Sequence, residues 1–157
     1  MKIDLKNILY PSDFSELSLK ALQYATSFAG AYEAQLHCIH VVDEGYQYWM
    51  SLGPESVPIG PSIDELTQLA EKHLGDFKAS HLAGLHREAI TQVLYGRPYV
   101  EICQYARDSR TDLIVLATHG RGGLSHALMG GTAEKVVRKA PCPVLTVRDP
   151  EHDFVKP

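Results

Sequence analysis

Five short apolar runs alternate with four stretches whose apolar residues return every three or four positions, and that alternation leaves few possible folds. The runs are Lys6 to Tyr10, "KNILY"; Gln35 to Val42, "QLHCIHVV"; Glu88 to Leu94, "EAITQVL"; Leu113 to Thr118, "LIVLAT"; and Val144 to Arg148, "VLTVR". Their length and β-branched content suit strands. Helical spacing runs from Ser15 to Tyr32 through Leu19, Leu22, Ala25, Phe28 and Ala29. It returns from Ile63 to about Leu82 through Leu66, Leu69, Ala70, Leu74 and Phe77. Shorter helices are expected up to Asp108, behind Gly96 and Pro98, and from about Thr132 to Lys139. Ser15 is a natural N-cap for the first helix.

Strands that alternate with helices are joined by right-handed crossovers, which build a doubly wound parallel sheet with helices on both faces. "LIVLAT", apolar on both faces, reads as a central strand. In such α/β sheets a ligand lies beyond the carboxyl ends of the strands, where strand order reverses. "PSDFS", after the first strand, and "THGRGG", after the fourth, should therefore face one crevice.

At 157 residues, the chain suits one domain, expected over 1–148, with a polar tail over 149–157. Lys and Arg are scattered among acids for a net charge of -4, which argues against a nucleic-acid partner. No apolar run approaches the roughly 20 residues that cross a bilayer, so no membrane association is expected. The opening "MKIDLKNILYPSDFS" meets acids and a proline too early for a secretory signal, which points to the cytoplasm. Cys38, Cys103 and Cys142 sit far apart in apolar contexts and read as reduced core residues. Asp43 to Ser62, with Tyr46, Tyr48, Trp49 and Met50, has no steady period and reads as a long loop.

The stretch "ATHGRGGLSHALMGGTAEKVV", residues 117–137, carries the chemistry. A phosphate needs close backbone N–H donors, positive charge and ideally a helix N-terminus. Gly120, Gly122 and Gly123 allow close approach, and Arg121 supplies charge. Gly130, Gly131 and Thr132 stand where the next helix begins. On the residues alone a structural reading stays open, in which the glycines only turn the chain and Thr132 caps its own helix. Neither G-x-x-x-x-G-K-[ST] nor G-x-G-x-x-G after the first strand is present.

From "KNILYPSDFS" to "APCPVLTVR" the chain resembles the universal stress protein family. The nucleotide-binding branch of that family carries G-x2-G-x9-G-[ST]; here Gly120 and Gly130 match its second and third glycines. Ala117 replaces the first glycine, and Gly131 replaces the hydroxyl residue. The resemblance implies a Rossmann-like sheet in strand order 3-2-1-4-5. It also implies a nucleotide site with Pro11, Ser12, Asp13 and Val41 on the adenine side. The phosphate side would run through Ala117, Thr118, His119, Gly120, Arg121, Gly122, Gly123, Gly130, Gly131, Thr132 and Ala133. The implied ligand is ATP, or else ADP or AMP, with Mg2+ beside a triphosphate. The implied role is a stress-response regulator, with slow ATP hydrolysis at most. The implied assembly is a homodimer through Val144 to Arg148, with protein partners unknown.

No catalytic or metal constellation emerges. His37 and His40 fall on opposite faces of one strand, and Ser125 has no base assured beside it. Two further readings remain. One is a dimeric interaction module of the same fold that binds AMP or no nucleotide. The other is an ATP pyrophosphatase, which would need a glycine-serine loop where "YPSDFS" stands.

Overall fold

The computed structural model describes residues 3–45, 61–118 and 130–148. In chain order these hold β1 (Asn7–Pro11), α1 (Glu16–Tyr32), β2 (Gln35–Asp43), α2 (Ile63–His81) and β3 (Ile90–Gly96). They continue with α3 (Pro98–Asp108), β4 (Leu113–Ala117), α4 (Gly131–Lys139) and β5 (Val144–Val147). The strands form one parallel sheet in the order β3-β2-β1-β4-β5. This is the doubly wound α/β architecture that the alternation of runs requires.

β1 is the spine, with Ile8, Leu9 and Tyr10 wholly buried. Alternation sends Ile8 and Tyr10 to one face, with Leu36, Cys38 and Val115, beneath Ala21, Leu22 and Ala25 of α1 and Leu74 and Phe77 of α2. Leu9, Ile39, Ile114 and Leu116 take the other face, beneath Ile102 and Ala106 of α3 and Ala133 and Val136 of α4. The first of β4's registers is pinned just ahead of the strand. The Asp112 carboxylate accepts from the N–H groups of Lys6 and Asn7 at 2.8 and 2.9 Å, while the Asp112 N–H donates to the Asn7 carbonyl.

The caps follow local chemistry. Ser15 accepts from the Ser18 N–H to start α1, as its side chain suggests. Ser62 and Glu65 form a reciprocal capping box on α2. Pro98 opens α3. Every strand differs from its expected run by a residue or two at one end or both, as at β1, which spans Asn7–Pro11 and not Lys6 to Tyr10. β2 and β3 continue to Asp43 and Gly96, which pair with each other. β3 begins at Ile90, because Glu88 is engaged outside the ladder by Gln35 and Lys78. Leu69, expected on the inner stripe of α2, is 51% exposed, since α2 lies over β2 and the edge strand β3 and only Ala70, Leu74 and Phe77 are buried. Tyr46, Tyr48, Trp49 and Met50 lie outside the described residues.

Candidate functional site

Strand order reverses between β1 and β4, so the chain leaves two neighbouring strands toward opposite edges of the sheet. Beyond their carboxyl ends stand the turn after Pro11 and the residues that flank 119–129. His119, Gly120, Arg121, Gly122 and Gly123 lie outside the described residues.

On the side where the sequence reading expects the phosphates, the described chain resumes at a latch. The Gly130 N–H donates to the Thr118 carbonyl at 2.6 Å, and the Thr118 N–H donates to the Val147 carbonyl at 2.8 Å. Gly130 is the N-cap of α4, with φ -68 and ψ 152, and no side chain caps the helix. The N–H groups of Gly131, Thr132 and Ala133 thus open the helix at its positive end, with no capping side chain on them among the described residues. That corrects the capping role open to Thr132: Thr132 is the second helical residue, not the cap. Ala133 turns its methyl into the core, so only its backbone can face a ligand. Gly130 has an ordinary extended backbone, so no positive φ requires a glycine there. A Cβ built on Gly131 meets nothing within 4 Å.

Ala117 ends β4, half-buried against the α1 side of the core. Its φ is not positive, whereas Phe14, Glu33 and Arg110 are the described non-glycine residues with positive φ. The backbone there asks for no glycine, so alanine enters without conformational strain.

The turn after β1, expected from the sequence to face adenine, is held by an internal hydrogen-bond system. Pro11 closes the strand. The Ser12 N–H donates to the Ile39 carbonyl at 2.8 Å. The Ser12 hydroxyl lies in the core, 3.2 Å from both Tyr10 Oη and Ser18 Oγ, and accepts from the Phe14 N–H at 3.1 Å. Only the backbone of Ser12 can therefore line a crevice. Burial pushes the Tyr10 phenol well above its ordinary pKa, so it works here as a neutral hydroxyl, donating to the Ser18 carbonyl at 2.8 Å. Asp13 Oδ1 accepts from Ser15 N and Ser15 Oγ at 3.0 and 2.6 Å, bracing the residue that caps α1. Val41 is half-buried and packs with the Leu9 and Ile39 cluster, on the face of α3 and α4. Pro11 pairs with Ile39, so Val41 lies two residues past the last β1 partner, alongside the Ser12–Asp13 turn.

Sequence reasoning missed His40 and Phe14 as parts of this turn. His40 Nδ1 lies 2.8 Å from the Ser12 carbonyl, and the Phe14 ring stacks on the imidazole at 4.6 Å between centroids. The signal was present in "CIHVV", where a histidine precedes Val41, but the contact reaches across 28 residues.

Among the described residues no reactive thiol or metal cluster accompanies the site. Cys38, Cys103 and Cys142 are free, and burial pushes Cys38 up to about 12 and Cys142 to about 11, so they remain thiols at neutral pH. Among the described residues no group of three or more His, Cys, Asp or Glu could hold a metal ion. His37 bonds Tyr105 Oη from the face opposite to His40. No described helix is long and apolar enough to cross a membrane.

The family model for the universal stress protein family matches residues 4–148. The universal stress protein MJ0531 of Methanocaldococcus jannaschii is 32% identical over 148 residues, covering 94% of this chain and 85% of that protein. The solved structure of MJ0577, from the same organism, superposes with a TM-score of 0.79 at 28% identity, covering 96% of this chain and 100% of that one. Two more distant structures share the fold. One is a universal stress protein in complex with cAMP, with TM-score 0.68, 18% identity, and 93% and 98% of the two chains covered. The other is the universal stress protein of Archaeoglobus fulgidus in complex with dAMP, with TM-score 0.63, 16% identity, and 93% and 99% covered.

Proposed function

The chain belongs to the universal stress protein family, and from that premise we propose that it is a cytoplasmic, nucleotide-responsive stress regulator binding ATP in the crevice beyond β1 and β4. One observation carries the reading. α4 begins on Gly130 with no side-chain cap among the described residues, and the Gly130–Thr118 bond ties that helix start to the end of β4. Uncapped N–H groups at a helix N-terminus bind anions, here the phosphates. Asp13 and Val41 supply a polar group and an apolar wall for the adenine. The complexes of distant members with cAMP and dAMP support an adenine nucleotide as the class of ligand. Mg2+ would arrive with a triphosphate, held by its oxygens and the Thr132 hydroxyl. Any hydrolysis of ATP would be slow, as the family resemblance implies.

A second reading has its own observation. Gly131 offers no hydroxyl to an outer phosphate, which favours AMP over ATP, or an interaction module whose crevice stays empty.

Calorimetry with ATP, ADP and AMP in the presence of Mg2+ separates these readings, with Gly130→Val as the comparison. Because Gly130 has φ -68, valine is compatible with the backbone and places a branched side chain at the start of the helix. The expected outcome is micromolar ATP binding that weakens at least about tenfold, or by roughly 1.4 kcal/mol, in a folded variant. AMP binding without ATP binding selects the second reading. No binding to any of the three, by protein free of retained nucleotide, makes the crevice structural.

A further inference from the structure

We infer that His40 is a positioning residue for base recognition: it fixes the Ser12–Asp13 peptide and so sets how Asp13 faces an adenine. The inference rests on the nucleotide reading and adds a group to which the resemblance assigns no role.

Two adjacent residues of β2 hold Ser12 by both ends. The Ile39 carbonyl accepts from the Ser12 N–H at 2.8 Å, and the Ser12 carbonyl lies 2.8 Å from His40 Nδ1. A carbonyl oxygen can only accept, so Nδ1 carries the proton and the tautomer is set. The peptide after Ser12 is trans, like every described peptide. In a trans peptide the N–H points opposite to the preceding carbonyl. With the Ser12 carbonyl drawn to the imidazole, the N–H side of the plane, which leads into Asp13, turns away from it. His40 lies on the α1 and α2 face, under Phe14, whose ring also meets Phe77 of α2 at 5.4 Å. Val41, the next residue along β2, projects to the other face, as neighbours in a strand must. The bond from His40 therefore orients the Asp13 side of the turn toward the face that Val41 lines.

The turn carries a mark of constraint. Phe14, a bulky residue, adopts φ 62, a conformation that such side chains rarely take. It is kept there by its N–H bond to Ser12 Oγ and by the stack on His40, 26° from parallel. Strain that surrounding groups enforce collects at ligand sites, where geometry matters more than local preference.

Donor direction is what distinguishes bases. Adenine presents an acceptor at N1, where guanine presents N1–H, so a turn held in one orientation favours one base over the other. A histidine that merely stabilised the fold would weaken both nucleotides alike.

The test is the ratio of AMP to GMP affinity, measured by calorimetry on the full chain. His40→Phe keeps a ring against Phe14 and removes the donor. His40→Asn places an amide N–H where Nδ1 stood. His40→Phe is expected to lose about tenfold in AMP affinity, with the AMP-to-GMP ratio falling toward one, and His40→Asn to recover most of both. A wild-type preference for AMP that His40→Phe leaves unchanged overturns the role of His40 and leaves the nucleotide reading standing. No binding of AMP by a wild type that binds ATP overturns the role of His40 alone, and no binding of either nucleotide overturns both. If His40→Phe fails to fold, two measurements remain. His40→Asn must retain the wild-type ratio, and the Asp13 amide resonance of the wild type must shift on saturation with AMP; a lost ratio or an unmoved resonance overturns the inference.

Discussion

His37 and His40 leave β2 on opposite faces and meet different chemistry. His40 joins the turn after β1, while His37 is 7% exposed beneath α3, with Nδ1 3.0 Å from Tyr105 Oη. Its Nε2 is buried with no partner among the described residues, and burial lowers its pKa from the ordinary 6.5. The unfolded chain therefore binds a proton at His37 more readily than the folded one does. Stability from this site is complete above pH 6.5 and falls as pH drops from there toward the lowered pKa, with a slope of at most about 1.4 kcal/mol per pH unit. His37→Phe should flatten the part of the acid limb that belongs to this residue, read from urea unfolding between pH 8 and pH 5. An unchanged slope would show that His37 charges without penalty in the fold. That His37 and His40 face apart was legible from strand alternation alone. That one meets Tyr105, 68 positions away, and the other Ser12 was not, since such partners depend on which helix covers which face.

At the scale of elements, most of the fold was legible in the sequence, because short β-branched apolar runs alternate with longer stretches of helical spacing. Helix starts were legible where the cap is a hydroxyl, as at Ser15. The start of α4 was not, because Thr132 advertises a cap while Gly130 occupies that place and leaves the first turn bare. The bare turn makes a gain-of-function variant possible. Gly131→Ser restores a hydroxyl at the first helical position, and its Cβ enters open space. A hydrogen bond to a charged phosphate oxygen is worth about 1.5 kcal/mol or more, so ATP affinity should rise about tenfold while AMP affinity changes little. Helix propensity predicts stability unchanged or raised by up to about 0.5 kcal/mol. Equal ATP affinity in Gly131→Ser and the wild type would mean that the outer phosphates do not reach α4. The Ala117 substitution carries the opposite lesson. By sequence it departs from the family's motif, yet the backbone it occupies needs no glycine.

Across the whole molecule, both edges of the sheet are open among the described residues, β3 on one side and β5 on the other. An unpaired edge invites a second strand, and the homodimer expected through Val144 to Arg148 is such a pairing. The hydrogen bonds identify which groups would make it. The Pro143 and Val147 carbonyls accept from Ile114 and Thr118, so residues 143, 145 and 147 turn their backbone groups toward β4. By alternation, Val144 and Thr146 turn theirs outward. Thr146→Pro removes an outward N–H and leaves the β4 ladder intact, a change that edge strands tolerate. Light scattering at micromolar concentration should give a dimer for the wild type and a monomer for Thr146→Pro, with circular dichroism unchanged. A monomeric wild type would overturn the pairing. A variant that stayed dimeric would move the interface away from β5, with β3, where Ile90 and Tyr95 are 44% and 40% exposed, the next edge to block. The order of strands, which decides that these two are the edges, came from the resemblance and not from periodicity. Five apolar runs fix how many strands there are, and only the crossovers between them fix which lie outside. Strand order also links edge to candidate site, because β5 accepts the Thr118 N–H, whose residue in turn accepts from Gly130. Dimerisation through β5 would then brace the crevice, and Thr146→Pro should weaken ATP binding modestly as well, by about twofold to fivefold. Affinity unchanged in a monomeric variant would mean that each protomer's crevice is complete alone.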